Sequence, residues 1–208
     1  MGSVSLAGSR VVLRDWHLDD LPGYQAWQEP GHAWQALDGP YYPRPTFEET
    51  KVFITKVGDR IRAGKWPTPR MVLVVACAET NALIGRVSRY WQSEETQWLS
   101  IGVVIYDPAQ WGRGLGTEAL GLYSDYIFAS MPDIARLDLR TWSGNPGMMR
   151  VAEKLGYRQE ACFRKARIVD GEFFDGIGYG ILREEWREKY PSGFAARLAG
   201  RDESAPES

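Results

Sequence analysis

Asp107-Pro-Ala-Gln-Trp-Gly-Arg-Gly-Leu-Gly-Thr-Glu-Ala-Leu120 joins an apolar run, Ile101 to Tyr106, to a segment with helical spacing. Gly112, Gly114 and Gly116 alternate across the junction. Lacking a Cβ, they let backbone N–H groups approach a ligand at the point where a helix exposes its unpaired N-terminal donors. That combination predicts a phosphate cradle. No Lys-Ser or Lys-Thr pair follows Gly116, so the stretch is not a nucleoside-triphosphate P-loop.

Outward from this junction the chain alternates strand and helix signals. Upstream, 10–16 reads as a strand, and Asp19 or Asp20 as the cap of a helix running toward Gln28. Thr46-Phe-Glu-Glu49 is a capping box that opens an amphipathic helix ending near Gly64. The runs 71–78, 83–91 and 97–106 read as three strands of an antiparallel meander. Downstream, 115–130 has helical spacing, 136–141 is a strand, and 145–155 is a helix stopped by Gly156. The segments 157–168 and 172–182 form a hairpin around Asp170-Gly171. The expectation is one domain over 1–199, with the small, polar stretch 200–208 as a disordered tail.

Composition narrows the partners. With 208 residues and 44% hydrophobic content the chain supports one sizeable core, and no shift in composition marks a second domain. A net charge of −2, with Lys and Arg scattered among acids, argues against nucleic acid. No run approaches the roughly 20 apolar residues of a membrane helix, and the start lacks the form of a secretion signal, so no membrane partner and a cytoplasmic location are expected. Cys77 and Cys162 read as reduced thiols; with only His17 and His32 beside them, no metal site is expected. The oligomeric state, monomer or homodimer, stays open.

Gly114-Leu-Gly116-Thr-Glu-Ala119 also satisfies the G-x-G-x-x-A dinucleotide fingerprint, with Asp138 at about the ribose-binding distance. Asp107 to Trp111 intervene between strand and glycines, however, and Asp138 falls mid-strand, which makes a dinucleotide the third choice. The chain instead resembles the GNAT superfamily of acyl-CoA-dependent N-acetyltransferases, and within it the ribosomal-protein-N-acetyltransferase-like (RimJ/RimL-type) branch. The matching pieces are Ile101-Gly-Val-Val-Ile-Tyr-Asp-Pro, Trp111-Gly-Arg-Gly-Leu-Gly-Thr-Glu-Ala, Asn145 through Glu153-Lys-Leu-Gly-Tyr157, Asp170-Gly-Glu-Phe-Phe-Asp175, and Leu182-Arg-Glu-Glu-Trp186. Trp111 stands where the superfamily at large has Gln or Arg. The resemblance implies an α/β (α+β) fold: a mixed, mostly antiparallel sheet of about seven strands flanked by about four helices.

It also implies a site. Backbone groups of Trp111, Gly112, Arg113, Gly114, Leu115, Gly116 and Thr117 would hold the acetyl-CoA pyrophosphate, with a Cβ at Gly114 or Gly116 intruding on it. Val103, Val104 and Ile105, on a strand splayed from its neighbour, would pair with the pantetheine arm, and an amide near Val103 or Val104 would polarise the thioester. Asn145 would contact the cosubstrate or simply cap its helix. Family-type catalytic side chains are missing: the Tyr seven residues after Asn145 is Ala152, the Ser three residues after it is Met148, and the Glu of the next strand is Arg167. Asp175 is the remaining candidate acid, acting through water. Trp34, Tyr41, Tyr42, Phe173 and Phe174 would wall the acceptor, while Trp142 belongs to the core. Glu29, Asp38, Glu48 and Glu49 could attract a cationic amine. Neither cysteine has an electropositive setting, so direct transfer is expected over an acyl-enzyme. The reading is an N-acetyltransferase acting on a protein N-terminus or small amine; the alternative is a non-catalytic acyl-CoA-binding protein.

Overall fold

The computed structural model describes residues 2–202. Eight strands form one sheet in the order β1-β2-β3-β4-β5-β6-β8-β7, where β1 is Ser5–Ala7, β2 Val11–Arg14, β3 Val72–Cys77, β4 Leu83–Ser93, β5 Trp98–Ile105, β6 Arg136–Trp142, β7 Arg158–Val169 and β8 Glu172–Leu182. Every neighbouring pair is antiparallel except β5 with β6. The helices are α1 Asp20–Gln28, α2 Phe47–Ala63, α3 Leu115–Ser130, α4 Pro146–Leu155, α5 Arg183–Lys189 and α6 Phe194–Asp202. This is the mixed, mostly antiparallel α/β architecture expected, with one more strand, β1, at the edge.

Local chemistry explains most boundaries. At α2, Thr46 and Glu49 satisfy each other's backbone N–H groups, and Gly64 closes the helix in the left-handed region at φ 60°. Asp170 (φ 51°) and Gly171 (φ 84°) supply the two positive φ angles of a tight hairpin turn. Two expectations need correction. Asp19 stands at the N-cap of α1 but makes no side-chain cap bond, and Asp20 is not the cap: its carboxylate binds the Arg14 guanidinium at 2.7 and 2.9 Å and accepts the His17 N–H, a charge-assisted pairing with a buried arginine. Residues 200–202 are not tail but the end of α6; 203–208 lie outside the described residues.

Strand alternation divides the core between the two faces of the sheet. Leu73, Val75, Val87, Leu99, Leu137 and Leu139 pack against α3 and α4. Val74, Ala76 and Tyr106 pack against α1 and α2 through Trp16, Tyr24 and Val57. These layers hold β5 in place although its last five residues have a strand, β4, on one side only. β5 and β6 pair only at Leu99↔Leu137 and Ser100↔Asp138. Beyond Ser100, β5 stays with β4 as far as Gly85↔Ile105, while β6 stays with β8 as far as Trp142↔Gly176. The sheet therefore opens into a gap between its two parallel strands.

Candidate active site

The gap exposes one particular set of peptide groups. Tyr106 N–H donates to the Ile84 carbonyl at 3.0 Å, which makes that cross-strand pair a hydrogen-bonded one. Pairs alternate along an antiparallel ladder, so Val104 with Arg86 and Gly102 with Ser88 are hydrogen-bonded as well. The peptide groups of Val103 and Ile105 point the other way, into the gap. Of the two amides named from sequence, that of Val104 is directed to β4 and that of Val103 into the gap; both residues line the cleft. The Ile105 carbonyl accepts the Trp111 indole N–H at 2.8 Å, tying the strand end to the glycine turn.

That turn opens α3. Gly112 (φ 75°) and Gly114 (φ 81°) occupy the left-handed region, whereas Gly116 is an ordinary helical residue whose Cβ would make only van der Waals contacts with Val151, Ile105 and Val103. At Gly114 a Cβ would come within 2.9 Å of the Arg10 guanidinium, which also donates to the Arg113 carbonyl. The first intrahelical bond runs from Glu118 N–H to the Gly114 carbonyl at 3.0 Å, leaving the amides of Leu115, Gly116 and Thr117 unpaired within the helix. Beneath them Glu118, buried, accepts the N–H groups of Arg10 (2.7 Å) and Val11 (3.1 Å) and so fastens α3 to β2. Sequence reading missed both Arg10 and Glu118; a charged residue on the apolar face of a helix is the signal for the latter.

The gap continues into a cleft of about 1720 Å³ that reaches α1 and α2. One drug-sized ligand fills roughly 300–1,000 Å³, so two substrates can be held together. Trp34, Tyr41, Tyr42 and Asn145 line it as expected. Asn145 caps α4, accepting the Met148 N–H at 2.9 Å, and donates to the Leu37 carbonyl at 3.1 Å. Phe174 stands behind Trp142, edge-on at 4.8 Å, and Phe173 lies exposed on the hairpin. It is Trp142, read from sequence as core, that reaches the cleft. Asp175 is a further correction. It is absent from the lining; its carboxylate accepts the Lys165 N–H at 2.8 Å and faces the Cys162 thiol at 3.7 Å, holding a bulge of β7. Of the four acids expected to attract an amine, Glu29 and Glu48 also lie outside the lining.

Asp138, the ribose acid of the dinucleotide reading, is buried in ion pairs with Arg136 (2.6 Å) and Arg140 (3.4 Å) beside Ser100. β5, α3 and β6 do form a parallel β-α-β unit, but its strands pair only at two positions and their other neighbours, β4 and β8, run antiparallel, so the parallel sheet of a dinucleotide fold is not built around it. Burial pushes the phenols of Tyr24, Tyr41, Tyr90 and Tyr106 up from the ordinary tyrosine value. They are neutral at physiological pH and serve as hydrogen-bonding groups, not bases. Asp38 and Glu49 are the carboxylates lining the cleft among the described residues, and both are engaged. Asp38 lies between Arg44 (3.8 Å) and Arg86 (3.6 Å). The Glu49 carboxyl is held below the usual carboxylate range by the Thr46 N–H and hydroxyl.

A sheet parted at its single parallel pair, with a glycine turn and a helix N-terminus at the mouth of the gap, defines a transferase of the acyl-CoA class. The comparisons agree. The model of the acetyltransferase (GNAT) domain matches residues 10–158, and the chain belongs to that family of N-acetyltransferases, whose cosubstrate is acetyl-CoA. An uncharacterized N-acetyltransferase of Bacillus subtilis, YnaD, is 27% identical over 180 residues, spanning 85% of this chain and 96% of YnaD. Among solved structures, a GNAT-family acetyltransferase from Bacillus anthracis superposes with a TM-score of 0.68 at 22% identity over 88% of this chain and all of that one (100%). RimL, a ribosomal L7/L12 alpha-N-protein acetyltransferase solved with coenzyme A, gives 0.65 at 20% identity over 87% of this chain and 98% of RimL. At these identities the two structures speak to the fold alone.

Proposed function

We propose that the chain transfers the acetyl group of acetyl-CoA directly to a primary amine, both substrates being bound in the one cleft. The observation that carries this reading is the opened edge of β5, whose Val103 and Ile105 peptide groups face a gap ending at the glycine turn. The edge would take the amides of the pantetheine arm as a missing strand would. The unpaired amides of Leu115, Gly116 and Thr117 would take the pyrophosphate. The amine nitrogen attacks the thioester carbonyl carbon and a C–N bond forms. Negative charge on the oxygen is met by the Val103 N–H. Collapse then breaks the C–S bond; the thiolate leaves with a proton from water, and the new amide nitrogen gives its proton to water. Holding both reactants in one orientation supplies much of the rate. Ala152 is wholly buried in the core and Met148 has no ionisable proton, so neither side chain transfers a proton and water in the open cleft takes that role.

The motif resemblance supports a place in the RimJ/RimL-type branch, and RimL is itself a ribosomal L7/L12 alpha-N-protein acetyltransferase. A protein N-terminus and a small amine both fit a cleft of this size. Binding of acyl-CoA without chemistry is the second reading, and Ala152 is the observation that favours it. Thiol release from acetyl-CoA, followed with peptide N-termini, polyamines, aminoglycosides and amino acids, separates the two. Amine-dependent release that Gly114→Glu abolishes is expected; tight acetyl-CoA binding with no release from any amine would establish the binding-only role.

A further inference from the structure

The acceptor half of the cleft carries a charge pattern that the sequence does not advertise. Arg44, Arg86, Arg140 and Arg167 line it, against the two carboxylates of Asp38 and Glu49. The single carboxylate of Asp38 is shared by Arg44 and Arg86. Arg140 competes with Arg136 for Asp138. Arg167 has no carboxylate within ion-pair distance among the described residues; its guanidinium lies over the rings of Tyr41 (4.5 Å) and Tyr42 (5.8 Å) and donates to its neighbour's carbonyl. The Nε atoms of Arg86, Arg140 and Arg167 are buried without a hydrogen-bond partner.

The sheet is built to make room for this array. Along β8, Gly176, Gly178 and Gly180 alternate on one face. A Cβ at Gly178 would come within 2.9 Å of Arg140, and one at Gly176 would lie 3.7 Å from the Arg167 Nε. Gly178 thus leaves room for the Arg140 guanidinium, while Gly176 stands in ordinary contact distance of Arg167. Arg86 sits in register with Val104, next to the Val103 donor, and so beside the reacting carbonyl of the proposed complex. Partly desolvated guanidiniums with unfilled donors favour a planar oxyanion and repel an additional cation.

Resting on the transferase reading above, we infer that the acceptor is a small amine that also carries an oxyanion, most simply a carboxylate, which these arginines hold while the amine attacks the thioester. A polyamine would bring like charge to the array. The aromatic wall of Trp34, Tyr41 and Trp142 gives such a molecule an apolar side to lie against.

The test is thiol release by the full chain with matched acceptors: phenylalanine against phenylalaninamide, phosphoethanolamine against ethanolamine, and spermidine. The anionic member of a pair should lead by about tenfold or more in kcat/KM, the order expected of one charge-assisted pair; which pair responds tells a carboxylate from a phosphate. Arg167→Gln and Arg86→Gln should each raise KM for the anionic acceptor and level the ratio between pair members, with KM for acetyl-CoA unchanged as the check on folding. Equal or better use of the amide, ethanolamine or spermidine, or of peptide N-termini irrespective of acidic groups, would overturn the inference, as would a ratio that survives both substitutions. If no amine releases thiol, the transfer reading falls by itself. Calorimetry of phenylalanine and its amide into the CoA-loaded protein then decides the anion preference: arginine-dependent binding of the acid alone sustains it, and indifference refutes it.

Discussion

Gly114 and Glu118 show how single residues set the turn at the mouth of the cleft. Gly114→Ala forces a side chain into the left-handed region, at about 1–2 kcal/mol, and pushes a Cβ against Arg10. The expected result is a raised KM for acetyl-CoA with the acceptor KM little changed, measured by initial rates. Glu118→Gln keeps the volume but removes the buried charge that accepts two backbone N–H groups and faces Arg10 Nε at 3.3 Å. Hydrogen bonds to a charged group contribute about 1.5–3 kcal/mol, and a loss of that order should appear in urea unfolding. Gly112 and Gly114 were legible as turn residues because positive φ and a bare backbone leave a mark in the sequence. Asp175 was misread because an acid's identity does not say whether its carboxylate faces substrate or, as here, a neighbouring bulge.

At the scale of elements, helix ends, the meander of β3 to β5 and the β7–β8 hairpin were legible, and the pairings between segments distant in sequence were not. The Thr46 capping box, the Asn145 cap and the Gly156 stop all stand where their residue types predict. Thr46→Ala should lower stability by about 1 kcal/mol in denaturant unfolding and shift the start of α2, freeing Glu49 into the cleft. Gly121, in the middle of α3, looks from helix propensity like a residue to improve. A Cβ there would fall 2.4 Å from the Phe194 ring of α6, a helix that the sequence reading placed nowhere. Gly121→Ala is therefore expected to destabilise despite a gain of about 1 kcal/mol in propensity, and Gly121→Ala combined with Phe194→Leu should recover part of the loss; thermal unfolding of both variants checks this.

For the molecule as a whole, the buried tyrosines set an alkaline limit. Burial, with a hydrogen bond to Glu153, pushes the Tyr179 phenol up to about 12 from 10.0, and Tyr106, Tyr123 and Tyr157 are also displaced upward, by burial first. The native state then holds these protons more tightly than the unfolded chain. Their stabilisation is complete below pH 10; the part due to Tyr179 is lost as pH climbs through about 12, and the rest at higher pH still. Melting temperature should fall steeply above pH 10, with the phenolate absorbance of the buried rings, over and above that of exposed rings such as Tyr42, rising together with unfolding. A signal in advance of unfolding too large for the exposed rings would show that the buried ones are accessible in the folded protein.

The sequence by itself determined the glycine turn, the order and type of most elements, the hairpin at Asp170-Gly171 and the family, since each rests on residues that are neighbours along the chain. Only the tertiary structure decided that β5 and β6 part after Ser100, that Val103 and not Val104 presents its amide to the gap, and that four arginines from separate segments line one cleft, two of them beside the glycines of β8. Those outcomes depend on register and on which faces meet, and both are set by packing between segments distant in sequence, where the local rules of caps, turns and periodicity have no reach.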